Sequence, residues 1–394
     1  MKVVIPITSS SRQLSGVQRH GINLARCLLT RNEITAVHLI AASWQQDCLR
    51  SVESVSDARL HRHIVQLSNT PIGRNIWYYI RLPRIVAELD ADIVNLAYPM
   101  PLRSSQYYCP TVVTLHDLYP YDAPGNFGFP KVLFNQIILH QCLRSVNAIT
   151  CVSQSTRGRL KVLDPQLAKK STVICNCVEP QNTVSAHSPL PDWAGEPFLL
   201  CVAQHRPNKN LPLLLRVFRQ LLLSSQIDPQ TRLVIVGMQG PHTQVIRRFL
   251  AANQLQERVV LLAGISDEDL QWCYRNCSLL ISPSLVEGFG LPVAEAILAG
   301  CRVVCSDIPA FREVGGSRCE YIPLDQNAEH ALIEAIRAAC ALPKPGAAFL
   351  PQLSASQIAA QYLQLYSSLL HPVSSPGTLP LEPTMSATGG NTSS

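Results

Sequence analysis

No stretch of the 394-residue chain holds the roughly 18 consecutive apolar residues expected of a membrane span. Pro6 cuts the opening run Met1 to Ile7 too early for a signal peptide, so a cytoplasmic protein is expected. C-x-x-C pairs and Cys/His clusters at zinc spacing are also missing. The 14 cysteines are scattered, as buried small hydrophobes in a reducing compartment would be. The pairs Cys273/Cys277 and Cys301/Cys305 fall in a helix-like segment and a buried strand, a poor basis for a metal site. G-x-G-x-x-G, G-x-S-x-G, Walker and H-E-x-x-H motifs are absent, which removes the dinucleotide fingerprint, the serine-hydrolase elbow, the P-loop and the zinc-protease helix. Sequons at Asn276 and Asn391 carry little weight without a secretory signal.

Charged residues make up only 15% of the chain and apolar ones 47%, the balance of a globular protein long enough for two domains. Charge is also uneven. Residues 1 to 190 hold 19 Lys/Arg against 11 Asp/Glu, a net of +8; the remainder holds 14 against 16, a net of −2. A basic first half suits an anionic partner or is a plain solvated surface, and without interleaved aromatics nucleic acid is not expected.

Short Val- and Ile-rich runs alternate with helical patterns, the signature of parallel sheets with crossover helices. Strands are expected at Lys2 to Ile7, Ala36 to Ala41, Asp92 to Leu96, Thr111 to Leu115, Ala148 to Val152 and Thr172 to Cys175. The helical patterns Val17 to Leu29, Arg74 to Glu88 and Lys131 to Ser145 fall between them. A polar, proline-bearing stretch, Glu179 to Pro197, reads as a linker. The alternation then restarts with Phe198 to Val202, Arg232 to Val236, Val259 to Leu262, Leu279 to Ile281 and Arg302 to Cys305, with a helix at Leu211 to Leu223. The expected organisation is two doubly wound α/β domains, 1–178 and 198–350, around a cleft. A closing helix over 351–370 and a disordered Ser/Pro/Thr/Gly-rich tail over 371–394 follow.

Ligands of such sheets bind beyond the carboxyl ends of strands, so the loops there are the candidates. Pro283 to Gly300 reads P-S-L-V-E-G-F-G-L-P-V-A-E-A-I-L-A-G. It is a strand end, a glycine loop and a helix N-terminus with Pro292 in its first turn, a setting suited to phosphate, bracketed by Glu287 and Glu295. Gln204 to Asn210 places Arg206 and Lys209 at the mouth of the same domain, where two cations can neutralise a departing diphosphate or merely cap a helix. His116 and Asp117 follow the strand Thr111 to Leu115, where they face a polyhydroxylated ligand or serve structure alone. Gly16 opens a helix, with Arg19 near it, as an ordinary helix-start glycine or one that admits a phosphate. Gly264 and Ile265 can offer backbone atoms to a nucleobase, and Ser266 or Asp267 caps the next helix. Asp90-Ala91-Asp92 has D-x-D spacing but starts a strand, away from the predicted cleft.

Taken together, E-G-F-G-L-P-V-A-E-A, S-D-I-P-A-F-R-E-V-G-G (Ser306 to Gly316) and L-H-D-L resemble segments of the retaining GT-B glycosyltransferases. That large family, family 4-like, includes bacterial mannosyltransferases and sucrose synthases. The resemblance runs from Met1 to about Leu370. It implies that Glu295 holds the donor ribose, that Gly288 belongs to the donor loop, and that Phe289, Gly290 and Leu291 offer amides to the diphosphate. It also implies that Glu287 and His116 face the transferred sugar, that Lys209 binds phosphate, and that Gly16 lies near it. The family's phosphate arginine falls at His205 or Arg206 here, with Arg206 preferred, and Arg302 replaces a common proline.

The implied activity is metal-independent retaining transfer of a hexose, mannose preferred, from a nucleotide diphosphate sugar to a glycan or lipid-linked acceptor in polysaccharide biosynthesis. No further cofactor is expected. A GT-B epimerase or phosphorylase and an inactive nucleotide-sugar binder are the alternatives. The basic first half suggests an anionic carrier or peripheral membrane contact.

Overall fold

The computed structural model describes residues 1–12, 16–46, 49, 57–180 and 183–371. It contains two all-parallel sheets. The first has β1 (Lys2–Pro6), β2 (Ala36–Ala42), β3 (Leu60–Val65), β4 (Ile93–Leu96), β5 (Thr111–Leu115), β6 (Ala148–Cys151) and β7 (Ser171–Val173), in the order β3-β2-β1-β4-β5-β6-β7. The second has β8 (Phe198–Val202), β9 (Arg232–Val236), β10 (Val259–Leu262), β11 (Leu279–Ser282), β12 (Val303–Ser306) and β13 (Cys319–Ile322), ordered β10-β9-β8-β11-β12-β13. Their inner strands are buried on both faces, and this is why they read as continuous apolar runs.

Two strands carry no such run. β3, with the sequence L-H-R-H-I-V, lies on a sheet edge with most of its side chains exposed or half-buried, and β13 is likewise an edge strand. The expected helix over Arg74 to Glu88 also differs. It starts at Pro71, and the Trp77–Arg81 segment is a π-turn before the helix Leu82–Glu88. Pro83 has no N–H to return to the preceding turn, and a π-turn accommodates that missing bond.

Helix Gly16–Leu29 covers one face of the first sheet together with the last helix, Ala355–Leu370, which crosses back from the second half. Tyr362 and Tyr366 are fully buried there, and Tyr366 donates its hydroxyl to Asn95 Oδ1 at 3.1 Å. The opposite face is covered by the segments 71–88 and Lys131–Ser145.

The stretch Glu179 to Pro197, apart from residues 181–182 outside the described part, lies against the second core. Leu190 is buried in it, and Trp193 meets Trp272 edge-on at 4.9 Å. The chain crosses between halves twice, and the crossings are tied together. Val178 N donates to Leu353 O at 3.0 Å, and Ala355 N donates to Glu179 Oε1 at 3.1 Å. Residues 372–394 of the expected tail lie outside the described residues.

Candidate active site

The site is built around the turn from β11 into helix Leu291–Leu298. Gly290 is the N-cap of that helix at φ +102°, and a Cβ there would also meet the Phe311 ring at 2.8 Å, so the position requires glycine twice over. No side chain caps the helix. Among the described residues the amides of Phe289, Gly290 and Leu291 donate to no protein acceptor, so the positive end of the helix is left for a ligand. The Phe289 side chain itself is buried in the second core. Gly288 is pinched between the halves. Its carbonyl accepts hydrogen bonds from Ser153 Oγ at 2.5 Å and Thr156 Oγ1 at 3.0 Å, and a Cβ would stand 1.7 Å from the His116 carbonyl oxygen.

The turn Pro207–Lys209, after β8, is sewn to this loop. Leu285 N donates to Asn208 O at 2.8 Å, and Asn208 Nδ2 donates to Val286 O at 3.3 Å. Lys209 Nζ is thereby brought to 2.5 Å from Glu287 Oε1, while the Tyr119 hydroxyl donates to Glu287 Oε2 at 2.8 Å. Both oxygens of the carboxylate are thus engaged, one from each half of the molecule. Arg206 lines the cleft and makes no side-chain hydrogen bond or ion pair among the described residues. His205 turns inward instead, buried, with Nδ1 on Thr243 Oγ1 at 3.0 Å.

From the first half, His116 donates Nε2–H to Ala97 O at 2.8 Å, since a carbonyl can only accept. Its Nδ1 therefore keeps a lone pair, and burial pulls its pKa down to about 4. The His20 ring stands edge-on to it at 4.7 Å, anchored by Asn176 Oδ1 at 2.8 Å. Burial pushes the neighbouring Asp117 carboxyl up to about 6, against a hydrogen bond from Tyr119 N at 3.0 Å. Gly16 begins helix Gly16–Leu29, and nothing lies within 4 Å of where its Cβ would be, so packing does not require a glycine there.

Glu295 takes a hydrogen bond from the Tyr274 hydroxyl at 2.7 Å, and burial raises its pKa to about 7. An ion pair between Arg19 and Asp267 spans the two halves beside it. Gly264, at φ +71°, and Ile265 follow β10.

These side chains converge on one cleft of about 770 Å³ between the two sheets. It is lined by Gly16, His116, Arg206, Lys209, Gly264, Ile265, the run Glu287 to Leu291 and Glu295, whereas His205 and Ser266 are not among its lining residues. Tyr119, Arg12 and Gly237 line it too and had not been singled out. Gly237 directly follows β9, where the strand-end rule could have found it; a Cβ there would meet Ala203 O at 2.0 Å. Tyr119 gave no sequence signal, because its partner lies 168 residues away. Among the described residues, no three His, Cys, Asp or Glu side chains are grouped to hold a metal ion, and no helix is long and apolar enough to cross a membrane.

Residues 14–182 match the Glycosyltransferase Family 4 model, and residues 188–349 match Glycosyl transferases group 1. The chain is a family 4-like glycosyltransferase. It is similar to the O-antigen chain mannosyltransferase B of Escherichia coli, 25% identical over 335 residues that span 80% of this chain and 85% of that one. It is also similar to the O-antigen chain mannosyltransferase RfbU of Salmonella typhimurium, 25% identical over 225 residues, 57% of this chain and 60% of the other. Sucrose-phosphate synthase from Thermosynechococcus elongatus superposes with a TM-score of 0.66 at 16% identity, over 93% of this chain and 98% of that one. Anabaena HepE, crystallised with UDP and glucose, gives 0.62 at 17%, over 94% and 100%. The glycosyltransferase thus has the two-domain GT-B fold, and it is a hexosyltransferase.

Proposed function

We propose that the enzyme is a metal-independent, retaining transferase that moves a hexose, mannose preferred, from a nucleotide diphosphate sugar to a glycan or lipid-linked acceptor in polysaccharide biosynthesis. The observation that carries the reading is the convergence of Arg206, Lys209 and three unbonded amides on one cleft wall, with Glu287 beside them. The mannosyltransferase names of its relatives support the sugar, and a structural neighbour crystallised with UDP and glucose supports the donor class.

Cleaving a sugar–phosphate bond develops positive charge at the anomeric carbon and negative charge on the leaving diphosphate. Arg206, Lys209 and the amides of Phe289 to Leu291 are fixed donors for that negative charge, each contributing a few kcal/mol at most. Glu287, held by Lys209 and Tyr119, supplies negative charge to the sugar side. His116 Nδ1 accepts a hydrogen bond from a sugar hydroxyl, Glu295 takes the ribose hydroxyls, and Gly264 and Ile265 meet the base. Gly16 lets the phosphate approach the helix start. In the transfer itself the acceptor oxygen bonds to the anomeric carbon on the face the diphosphate leaves. The acceptor's proton passes to the departing phosphate oxygen.

The test is a panel of nucleotide sugars offered with glycan and polyprenyl-linked acceptors, read by mass spectrometry, with the anomeric configuration of the product read by NMR. Transfer from one donor with retained configuration, undiminished by EDTA, is expected. No nucleotide release from any donor would remove the reading.

A further inference from the structure

His20 is a polar ring in an apolar setting. It lies on helix Gly16–Leu29, one turn after Gly16 on the same face, and is buried. Gly21 beside it lets the helix down onto the first sheet, because a Cβ there would stand 2.6 Å from Ile7 Cγ2 and 3.0 Å from Ala97 Cβ. At that depth His20 reaches the end of β5 and meets both Thr114 and His116, two residues apart and projecting to the same side. An apolar side chain would fill the space without the cost of taking a polar ring out of water, so packing alone does not call for a histidine.

Both ring nitrogens are used. Nδ1 meets Asn176 Oδ1 at 2.8 Å, and since an amide oxygen only accepts, Nδ1 carries the proton. Burial and then the neighbouring His116 ring pull the pKa of His20 down to about 3. The ring is therefore neutral, and Nε2 accepts from the Thr114 hydroxyl at 3.2 Å. Thr114 Oγ1 in turn accepts from Thr150 Oγ1 at 3.0 Å and faces the Tyr362 hydroxyl at 3.3 Å. Donation thus runs one way, from Thr150 and Tyr362 through Thr114 to His20 and on to Asn176, among side chains that are all buried. Asn176 stands two residues before Val178, at the first crossing between the halves, and Tyr362 lies on helix Ala355–Leu370, just past the second.

His116 is held differently. Its hydrogen bond to Ala97 O fixes the ring at one atom and does not by itself set the ring plane. The His20 ring, at 81° to it with centroids 4.7 Å apart, stands in the way of that rotation.

We propose that His20 is a positioning residue for the transfer reaction: suspended between Asn176 and, through Thr114, Tyr362, it sets the plane of the His116 ring and so the direction of the Nδ1 lone pair. The two chain crossings thereby hold a sugar-contacting group in place. The positioning stands on the geometry alone, and its use in transfer rests on the proposed contact of His116 with the sugar.

The first arm of the test needs no donor. In ligand-free, full-length enzyme with labelled histidines, the His116 Nε2–H should give a slowly exchanging imidazole proton resonance. His20→Leu and Tyr362→Phe should shift it or speed its exchange. The second arm compares GDP-mannose with GDP, which lacks the sugar, or UDP-glucose with UDP if the donor panel selects uridine. His20→Leu should lower kcat and nucleotide-sugar affinity about tenfold, with nucleotide affinity unchanged. Tyr362→Phe, which removes only a hydroxyl, should do the same by about threefold, and it decides the matter if His20→Leu fails to fold. His116→Ala/His20→Leu should be no slower than His116→Ala alone, because His20 acts through His116. An unmoved His116 resonance, equal losses for nucleotide and nucleotide sugar, or additive losses in the double variant would overturn the inference. A moved resonance together with a His116→Ala enzyme that binds and turns over the nucleotide sugar like wild type would uphold the positioning and strike the sugar contact of His116 instead.

Discussion

Lys209 Nζ and Glu287 Oε1 lie 2.5 Å apart, with the Tyr119 hydroxyl on the other carboxylate oxygen, so the cation that would meet a diphosphate is already held by a carboxylate that Tyr119 fixes. Lys209→Ala removes a fixed charge from the leaving-group side and frees Glu287 from its partner. We expect kcat to fall about 10²–10³-fold, with circular dichroism unchanged. Tyr119→Phe removes one of two anchors on the same carboxylate and should cost about tenfold in kcat, on the scale of a hydrogen bond to a charged group. Glu295 gives a pH prediction. Burial raises its pKa from 4.5 to about 7, so it is largely protonated below neutrality. Ribose hydroxyls donate better to the ionised form, so donor binding should release a proton below pH about 7, and affinity should climb through that value and then level off. The stability effect has the opposite sense. A carboxyl raised in the folded state contributes stability that is complete below its unfolded pKa and is lost as pH rises through about 7, at most about 3 kcal/mol. Calorimetry in two buffers of different ionisation enthalpy reads the proton. Glu295→Gln should flatten both profiles, and a wild-type affinity that falls with pH would contradict the assignment. His116, pulled down to about 4, should add no inflection above pH about 5.

At the scale of elements, two glycines of the cleft separate packing from ligand approach. A methyl at Gly288 would stand 1.7 Å from the His116 carbonyl oxygen, so the whole loop must retreat. Gly288→Ala should therefore cost about 2 kcal/mol or more of stability and weaken donor binding with it. Gly16→Ala meets no atom within 4 Å, so melting should hold or rise slightly while donor affinity drops if phosphate approaches that helix start. Gly16→Ala with unchanged affinity would return Gly16 to an ordinary helix start. The same contrast explains what could be read from the sequence. Inner strands such as β8 and β12 are buried on both faces and announce themselves as apolar runs. β3 and β13 are edge strands whose polar residues face outward and break the pattern. The glycine loop, Lys209 and His116 were readable because strand ends place them. Tyr119 and the Ser153 and Thr156 hydroxyls on Gly288 were not, since only the approach of two separate halves makes those contacts.

At the scale of the whole molecule, the two halves are joined by paired crossings, Val178 to Leu353 and Glu179 to Ala355, and meet again at helix Gln154–Leu163. The first-turn donors of that helix are fully accounted for. Ser153 Oγ accepts from Thr156 N at 2.9 Å, while Gln154 N and Ser155 N donate to Glu313 Oε1 and Oε2 at 2.9 and 3.3 Å. Glu313 belongs to helix Pro309–Gly315 of the other half, so a carboxylate from the second half caps a helix of the first. Its charge also suits the positive end of the dipole. Because the contact exists only when the halves are closed, it favours closure by the value of the cap, about 1 kcal/mol for an exposed carboxylate. Glu313→Ala should shift the population toward open forms by roughly fivefold on that scale, since about 1.4 kcal/mol is tenfold. The solution radius of gyration should rise, and the apparent KM for donor should increase several-fold, because Glu287 then loses Tyr119 more often. Small-angle scattering with and without nucleotide reads the first and steady-state kinetics the second. Glu313→Gln, which keeps one acceptor, should fall between alanine and wild type. An alanine variant with unchanged scattering and KM would show that the crossings alone hold the halves together, and that the Glu313 contact follows closure without driving it.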